Sequence, residues 1–253
     1  MPQVSIHSPA LFETVEIFDD DYLYFYNQFL SEERTKREVE TITTLLSLKP
    51  KQSVLDIGCG HGRISNAMAE RGLDVTGIDI SARFLELARE DARSKGLSVE
   101  YRQCDMRSLP ESTMFDAAYI WFTTFGYFDD ADNQTVLSEA ARVLKPGGRL
   151  LLEQVNRVAV LTRGVPHWDV CEVADDLMID KVDYDGLQDR AVTVRTIVRD
   201  GQVRKAKLSV RLYSPVELRT QLINVGFSRI EIFGQGGKPF DPCGNRLIAL
   251  ATK

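Results

Sequence analysis

The sequence predicts an α/β chain: a mostly parallel sheet covered on both faces, followed by an antiparallel β insertion. Two observations predict it. Between residues 51 and 155 short apolar runs alternate with amphipathic stretches, and strands joined by crossover helices lie parallel and buried on both faces. After residue 156 the texture changes to three β-rich runs, over 177–184, 191–199 and 203–213. Turn signals separate them at Asp185-Gly186 and Asp200-Gly201, as between antiparallel neighbours.

Taken in order, residues 22–26 (YLYFY) are unusually aromatic and read either as a plug onto the core or as a pocket wall. A helix then opens at Ser31-Glu32-Glu33 and runs to Leu48, with Val39, Ile42, Leu45 and Leu46 at helical spacing. Strands are expected over 54–57, 75–78, 99–101, 117–120 and 149–152, with helices over 64–70, after the cap Ser81, and over 132–144. Lys145-Pro146-Gly147-Gly148 stops the last of these helices. Beyond the insertion, Ser214-Pro215 starts a helix that Gly226 ends, and 230–233 and 247–251 are the final strands.

Composition narrows the class. Of 253 residues 43% are hydrophobic and 27% charged, which excludes a disordered chain, and no uncharged run approaches the ~20 residues of a membrane span. The net charge of −6 and the lack of a dense Lys/Arg block disfavour a nucleic-acid partner. Cys59, Cys104, Cys171 and Cys243 have no CxxC spacing, so neither a metal site nor a disulfide framework is expected. With no basic-then-apolar leader, the expected setting is cytoplasmic.

The informative segment is VLDIGCGHGR (54–63), a strand running through a glycine turn into a helix. Dinucleotide loops read GxGxxG; here the spacing is GxGxG, and Arg63 stands where a third small residue belongs. Asp56, two residues before Gly58, would repel a diphosphate and favour a cation such as the ammonium or sulfonium end of S-adenosylmethionine. Asp79 ends the second strand, where it could accept from ribose hydroxyls. Asp105 follows the third, where it could accept from an adenine amino group. Any one of these acids alone would read as a helix cap.

Together VLDIGCGHGR, GIDIS, the Asp105 segment and LKPGG resemble the class I S-adenosylmethionine-dependent methyltransferase family, closely over 51–155. The resemblance implies a Rossmann-like sheet of seven strands in the order 3-2-1-4-5-7-6, the seventh antiparallel, with the antiparallel insertion after strand 5. It implies S-adenosyl-L-methionine as cofactor and S-adenosyl-L-homocysteine as product. Asp56, Gly58 and Gly60 would meet its methionine part, Asp79 the ribose, and Asp105 with Met106 the adenine; Cys59, Ile80 and Trp121 complete the cofactor set. On this reading 1–50 is an N-terminal helical lid, 51–155 the cofactor-binding core, 156–213 an acceptor roof or oligomer interface, and 214–253 the end of the core sheet.

The acceptor segment after strand 4 is IWFTTFGYF (120–128). It lacks the Asn/Asp-Pro-Pro-aromatic motif with which base-methylating enzymes grip an amine, and offers an aromatic and hydroxyl wall suited to a small, partly apolar molecule. Tyr22, Tyr26, Phe122, Thr123, Phe125, Asn156 and Arg157 are the candidate substrate contacts. Tyr24, Tyr127 and His167 are the candidate catalytic groups, with Glu153 a comparable guess and His7 and His61 set aside by position. Nitrogen is preferred to oxygen as the methylated atom, because no committed base is visible and the layout is similar to glycine N-methyltransferases and aminosugar N,N-dimethyltransferases. A homo-oligomer paired through the insertion is expected to be feasible. The competing classes are an inactive cofactor-binding partner subunit and a nicotinamide oxidoreductase, the latter opposed by the glycine spacing and by Asp56.

Overall fold

The computed structural model describes residues 17–109 and 114–253. In chain order its main sheet contains β1 (Ser53–Ile57), β2 (Asp74–Asp79), β3 (Glu100–Gln103), β4 (Phe115–Ile120), β5 (Leu144–Val155), β10 (Arg229–Phe233) and β11 (Arg246–Thr252). Across the sheet they lie β3-β2-β1-β4-β5-β11-β10, with β11 antiparallel to both neighbours and the other pairs parallel. This is the expected 3-2-1-4-5-7-6 order.

Period-two alternation splits the core into two layers. Val54, Ala117, Tyr119, Leu151 and Ile248 pack on one face against α2 (Glu32–Leu45) and α3 (Arg63–Glu70), through Val39, Ile42, Ile64 and Met68. Leu55, Ile57, Ala118, Ile120, Leu150 and Leu152 pack on the other face against α5 (Asp130–Arg142) and α7 (Pro215–Asn224), through Val136, Leu137, Leu218 and Leu222. The remaining crossover helix is α4 (Ala82–Ser94), capped by the Ser81 hydroxyl as expected. At α7 Ser214 and Glu217 form a reciprocal capping box with Pro215 at the first position.

Two boundaries differ from the sequence reading. Helix α2 stops at Leu45, and Ser47 takes a left-handed φ of 49°, so Leu46 and Leu48 lie beyond it. Helix α5 stops at Arg142, and Lys145–Gly148 forms a bulge inside β5: Phe115 pairs with Leu144 but Ala117 with Arg149.

The insertion is one antiparallel sheet, β6 (His167–Val173), β7 (Asp176–Asp185), β8 (Arg190–Arg199) and β9 (Gln202–Arg211). Three of its strands match the expected runs; β6 and the short helix α6 (Arg157–Thr162) were not expected. Strand β6, HWDVCEV, buries one side chain in seven, and α6 spans under two turns, so neither carries a readable period. One face of the insertion turns toward the main sheet. There Cys171, Met178 and Ile197 hold Phe25 of α1 (Asp20–Tyr26), and Val182, Ala191, Thr193, Leu208 and Val210 line a cavity. Helix α1 is also fixed by charge: Asp19 and Asp21 to Arg204, Asp21 to Arg199, and Asp20 to Arg83 of α4.

Candidate active site

The glycine turn between β1 and α3 is built from three alternating left-handed residues, Gly58, Gly60 and Gly62, with φ of 75°, 56° and 76°. Two need glycine for space as well. A Cβ on Gly58 would stand 2.2 Å from Cγ2 of Thr124, and one on Gly62 2.4 Å from the Tyr101 hydroxyl. The turn is tied to β2: Gly58 and Cys59 donate to the Ile78 carbonyl at 2.8 and 2.9 Å, and Gly60 N–H donates to Asp79 Oδ2 at 2.8 Å. Arg63, at the position that departs from a dinucleotide loop, also lines this region's cavity, but it is committed to Glu38 at 2.5 Å and donates to Thr35 at 2.8 Å, fastening α2 to α3.

Two carboxylates in this region, Asp56 buried and Asp79 half-buried, have no ion-pair partner among the described residues. Asp56 accepts from the Ser65 hydroxyl at 2.6 Å, and burial pushes its carboxyl up to about 6. Asp79 uses one oxygen for Gly60 N–H and the other for Ser81 N–H at 2.8 Å, and burial raises it too. Asp105 is placed differently. Arg107 grips it through Nη2 at 2.7 Å and Nε at 3.1 Å, reaches on to Asp132 at 2.7 Å, and lies 4.1 Å over the Phe128 ring.

Asp56, Gly58, Cys59, Gly60, Asp79, Ile80, Asp105, Met106 and Trp121 all line one cavity of about 320 Å³, so the nine expected cofactor contacts share one space. Phe84 and Phe128 add ring faces, and His61 is held neutral, burial lowering it to about 4. Such a cavity fits S-adenosylmethionine: the carboxylates of Asp56 and Asp79, without an ion-pair partner among the described residues, suit a cationic nucleoside and oppose a diphosphate.

A second cavity, of about 600 Å³, lies beside the first, and Phe18, Tyr22, Phe122 and Tyr127 line both. The turn after β4 makes much of this shared wall. Phe122 and Thr123 are both left-handed, at φ of 61° and 60°, a conformation costing roughly 1–3 kcal/mol for each non-glycine residue. Glu153 of β5 and Arg246 of β11 hold the turn. They form an ion pair, Glu153 accepts from Phe122 N–H at 2.8 Å, and Arg246 donates to the Thr123 hydroxyl at 3.0 Å. On the other side buried Arg190 of β8 donates to the carbonyls of Gly126, Tyr127 and Phe128 at 3.1, 3.4 and 2.9 Å, fixing Tyr127 from the insertion. Tyr22 stacks on Tyr26 at 4.3 Å. Burial drives the phenols of Tyr22 and Tyr127 far up, so neither is a base near neutral pH.

Tyr22, Tyr26, Phe122, Thr123, Tyr127 and His167 line the second cavity. Four other candidates do not. Tyr24 sits under Arg199 at 3.9 Å and donates to the Val173 carbonyl at 3.3 Å. Phe125 is core, 1% exposed, with its ring 5.4 Å from Tyr213. Asn156 caps α6 and donates to the carbonyls of Pro242 and Gly244, both at 2.8 Å. Arg157 pairs with Asp189 and Glu217. His167 begins β6 rather than standing in a loop; its Nδ1 lies 2.9 Å from the Gly164 carbonyl and Nε2 3.7 Å from Asp169. Glu153 is committed to Arg246, and His7 lies outside the described residues.

The sequence reading missed Phe18, Arg195 and Arg246. Arg195 had one signal, a charge opposite Asp180 across β7 and β8, which shows only once that register is known. Among the described residues no group of three or more His, Cys, Asp or Glu could hold a metal ion, and no helix is long and apolar enough to cross a membrane.

Comparison with known proteins gives three findings. Residues 54–148 match the model of a family described as methyltransferase domain. A ubiquinone biosynthesis O-methyltransferase from Dechloromonas aromatica (strain RCB) is 37% identical over 122 residues, 47% of this chain and 50% of that protein, so the chain spans about half the length of the curated relatives it matches. Among solved structures, an S-adenosylmethionine-dependent methyltransferase from Clostridium acetobutylicum ATCC 824 superposes with a TM-score of 0.78 at 17% identity, covering 92% of this chain and 99% of that one. The sugar N-methyltransferase KedS8 from Streptoalloteichus sp ATCC 53650 superposes at 0.67 with 17% identity, covering 100% and 98%. At such identities these two likenesses bear on the fold.

Proposed function

We propose that this chain, a class I S-adenosylmethionine-dependent methyltransferase by its domain and its sheet, moves a methyl group onto a small-molecule acceptor. The observation that carries the reading is the pair of adjoining cavities with one aromatic wall, the first bearing two carboxylates, Asp56 buried and Asp79 half-buried, without an ion-pair partner among the described residues. When bound, S-adenosylmethionine supplies an electrophilic methyl group on a sulfonium centre. Asp56 and the backbone of Gly58 and Gly60 are the groups for its aminoacyl end, Asp79 for the ribose, and Asp105 with Met106 for the adenine. Asp105 would serve through the oxygen edge it shares with Arg107.

The work of the chain itself is alignment and exclusion of water. Phe18, Tyr22, Phe122 and Tyr127 hold the acceptor atom in line with the methyl group, and a fixed near-attack pair converts a two-body encounter into a one-body step. The acceptor lone pair forms the new bond to carbon while the departing pair stays on sulfur, leaving a neutral thioether. Helix α1 and the insertion close the second cavity as lid and roof. Ubiquinone O-methyltransferases among the relatives and a sugar N-methyltransferase among the structures support a small acceptor without choosing its atom. The test is radiolabelled methyl donor incubated with fractionated cell metabolites. A labelled low-mass product is expected; label that stays on the donor with every fraction refutes the proposal.

A further inference from the structure

The second cavity has mainly apolar walls, yet two deeply set guanidiniums line it, Arg195 from β8 and Arg246 from β11. Each commits one edge to a carboxylate that does not line the cavity. Arg195 donates from Nε and Nη2 to Asp180 at 2.8 and 2.7 Å, and from Nη2 to the Tyr26 hydroxyl at 3.2 Å. Arg246 donates from Nε and Nη2 to Glu153 and from Nη2 to Thr123. In both, Nη1 has no hydrogen-bond partner among the described residues, although the Arg195 side chain is only 5% exposed. The carboxylate that does line the cavity, Asp169, is paired with Arg163 at 2.5 Å.

A guanidinium edge with no protein acceptor among the described residues, on the wall of a mainly apolar cavity, is an open donor, so this cavity suits a molecule that brings acceptor oxygens to it. An ammonium group would find no uncommitted carboxylate among the described residues there, because Asp180, Glu153 and Asp169 are each paired with an arginine. We infer, resting on the methyl-transfer reading above, that the acceptor is a largely apolar molecule carrying an acidic oxygen, a carboxylate or a phenol, seated against Arg195 and Arg246. This departs from the nitrogen preference drawn from layout alone. Where the acidic oxygen is itself the methylated atom, a carboxylate arrives already ionised, and a phenol gives its proton to solvent as the guanidinium edges hold the phenolate, so the lack of an uncommitted base at the shared wall is then no obstacle.

The test uses the full chain saturated with S-adenosylhomocysteine and four probes on one apolar body: 2-naphthoate, 2-naphthol, 2-naphthamide and 2-naphthylmethylamine. Calorimetry should rank 2-naphthoate or 2-naphthol about tenfold or more above the amide and the amine. Naphthoate in front identifies a carboxylate; naphthol in front, bound with the naphtholate absorbance at neutral pH, identifies a phenol. Arg195→Lys keeps the charge, loses the planar fork, and should erase most of the ranking. The wild-type ranking stands alone if that variant does not fold. An amine in front, four equal affinities, or no probe bound overturns the inference alone. Failure of S-adenosylhomocysteine to bind overturns the methyl-transfer reading and this inference with it.

Discussion

The two cavities share a wall but are built in opposite ways. The smaller draws its polar lining almost entirely from one stretch, residues 56–128, where strand ends and a glycine turn present backbone and acids. Its geometry follows from local rules: a left-handed φ at Gly58, an Asp79 carboxylate bridging two N–H groups, an Asp56 buried by the helix that follows it. The larger gathers side chains from residue 17 to residue 246, out of α1, the turn after β4, α6, four insertion strands and the approach to β11. Nothing local places Arg195 near Arg246. The difference teaches that a ligand gripped through backbone leaves a contiguous mark in the chain, whereas one gripped through side chains on distant strands does not.

The sharpest way to break the comparison is at Gly58. Gly58→Ala forces a side chain into a left-handed residue and against Thr124, and should weaken S-adenosylhomocysteine binding about thirtyfold, equivalent to about 2 kcal/mol. Calorimetry beside thermal melting checks it, and an unchanged Kd would show that the turn does not cradle the cofactor. Next in size is Asp79→Ala, which strands the N–H groups of Gly60 and Ser81 and should weaken S-adenosylmethionine and S-adenosylhomocysteine about equally, by about tenfold. A loss confined to the charged ligand would instead assign Asp79 to charge.

Smaller effects sharpen the division. Phe125→Leu should lower stability by about 1–2 kcal/mol and leave both KM values alone, because the ring is core. Phe122→Leu should do the reverse, raising the acceptor KM severalfold with little change in melting; equal behaviour of the two would dissolve the distinction between wall and core. Smallest of all, Tyr24→Phe should change turnover less than about twofold, since it loses one hydrogen bond to the Val173 carbonyl, outside both cavities.

The same contrast explains what could be read in advance. The parallel core strands, the glycine turn and the three acids were legible, because strand periodicity, glycine spacing and a carboxylate after each strand are local signals; the sheet order came only from the family resemblance. Strand β6 and α6 were not: an edge strand with one buried residue, and a helix under two turns, have no period to detect. Aromatic residues after β4 divided unpredictably, Phe122 and Tyr127 to the wall and Phe125 to the core. Which way each ring turns depends on two consecutive left-handed residues, Phe122 and Thr123, held by an ion pair from β5 and β11. Asn156 and Arg157 lie outside the cavity lining for a related reason, since a polar residue after a strand serves a cap or an ion pair as readily as a ligand.

Asp56 offers the most direct measurement. Its folded value of about 6 lies above the ordinary 3.8, so ionisation opposes folding. The stabilisation is complete below pH 3.8 and lost as pH rises through about 6, about 3 kcal/mol over the whole span. A cation bound beside it favours the ionised form, so S-adenosylmethionine binding should expel its proton. Calorimetry at pH 6 in buffers of differing ionisation enthalpy should count about half a proton more released by wild type than by Asp56→Asn, with the difference gone at pH 8. Equal proton counts in the two proteins at pH 6, or no binding of S-adenosylmethionine at all, would contradict the assignment of this cavity to a cationic nucleoside.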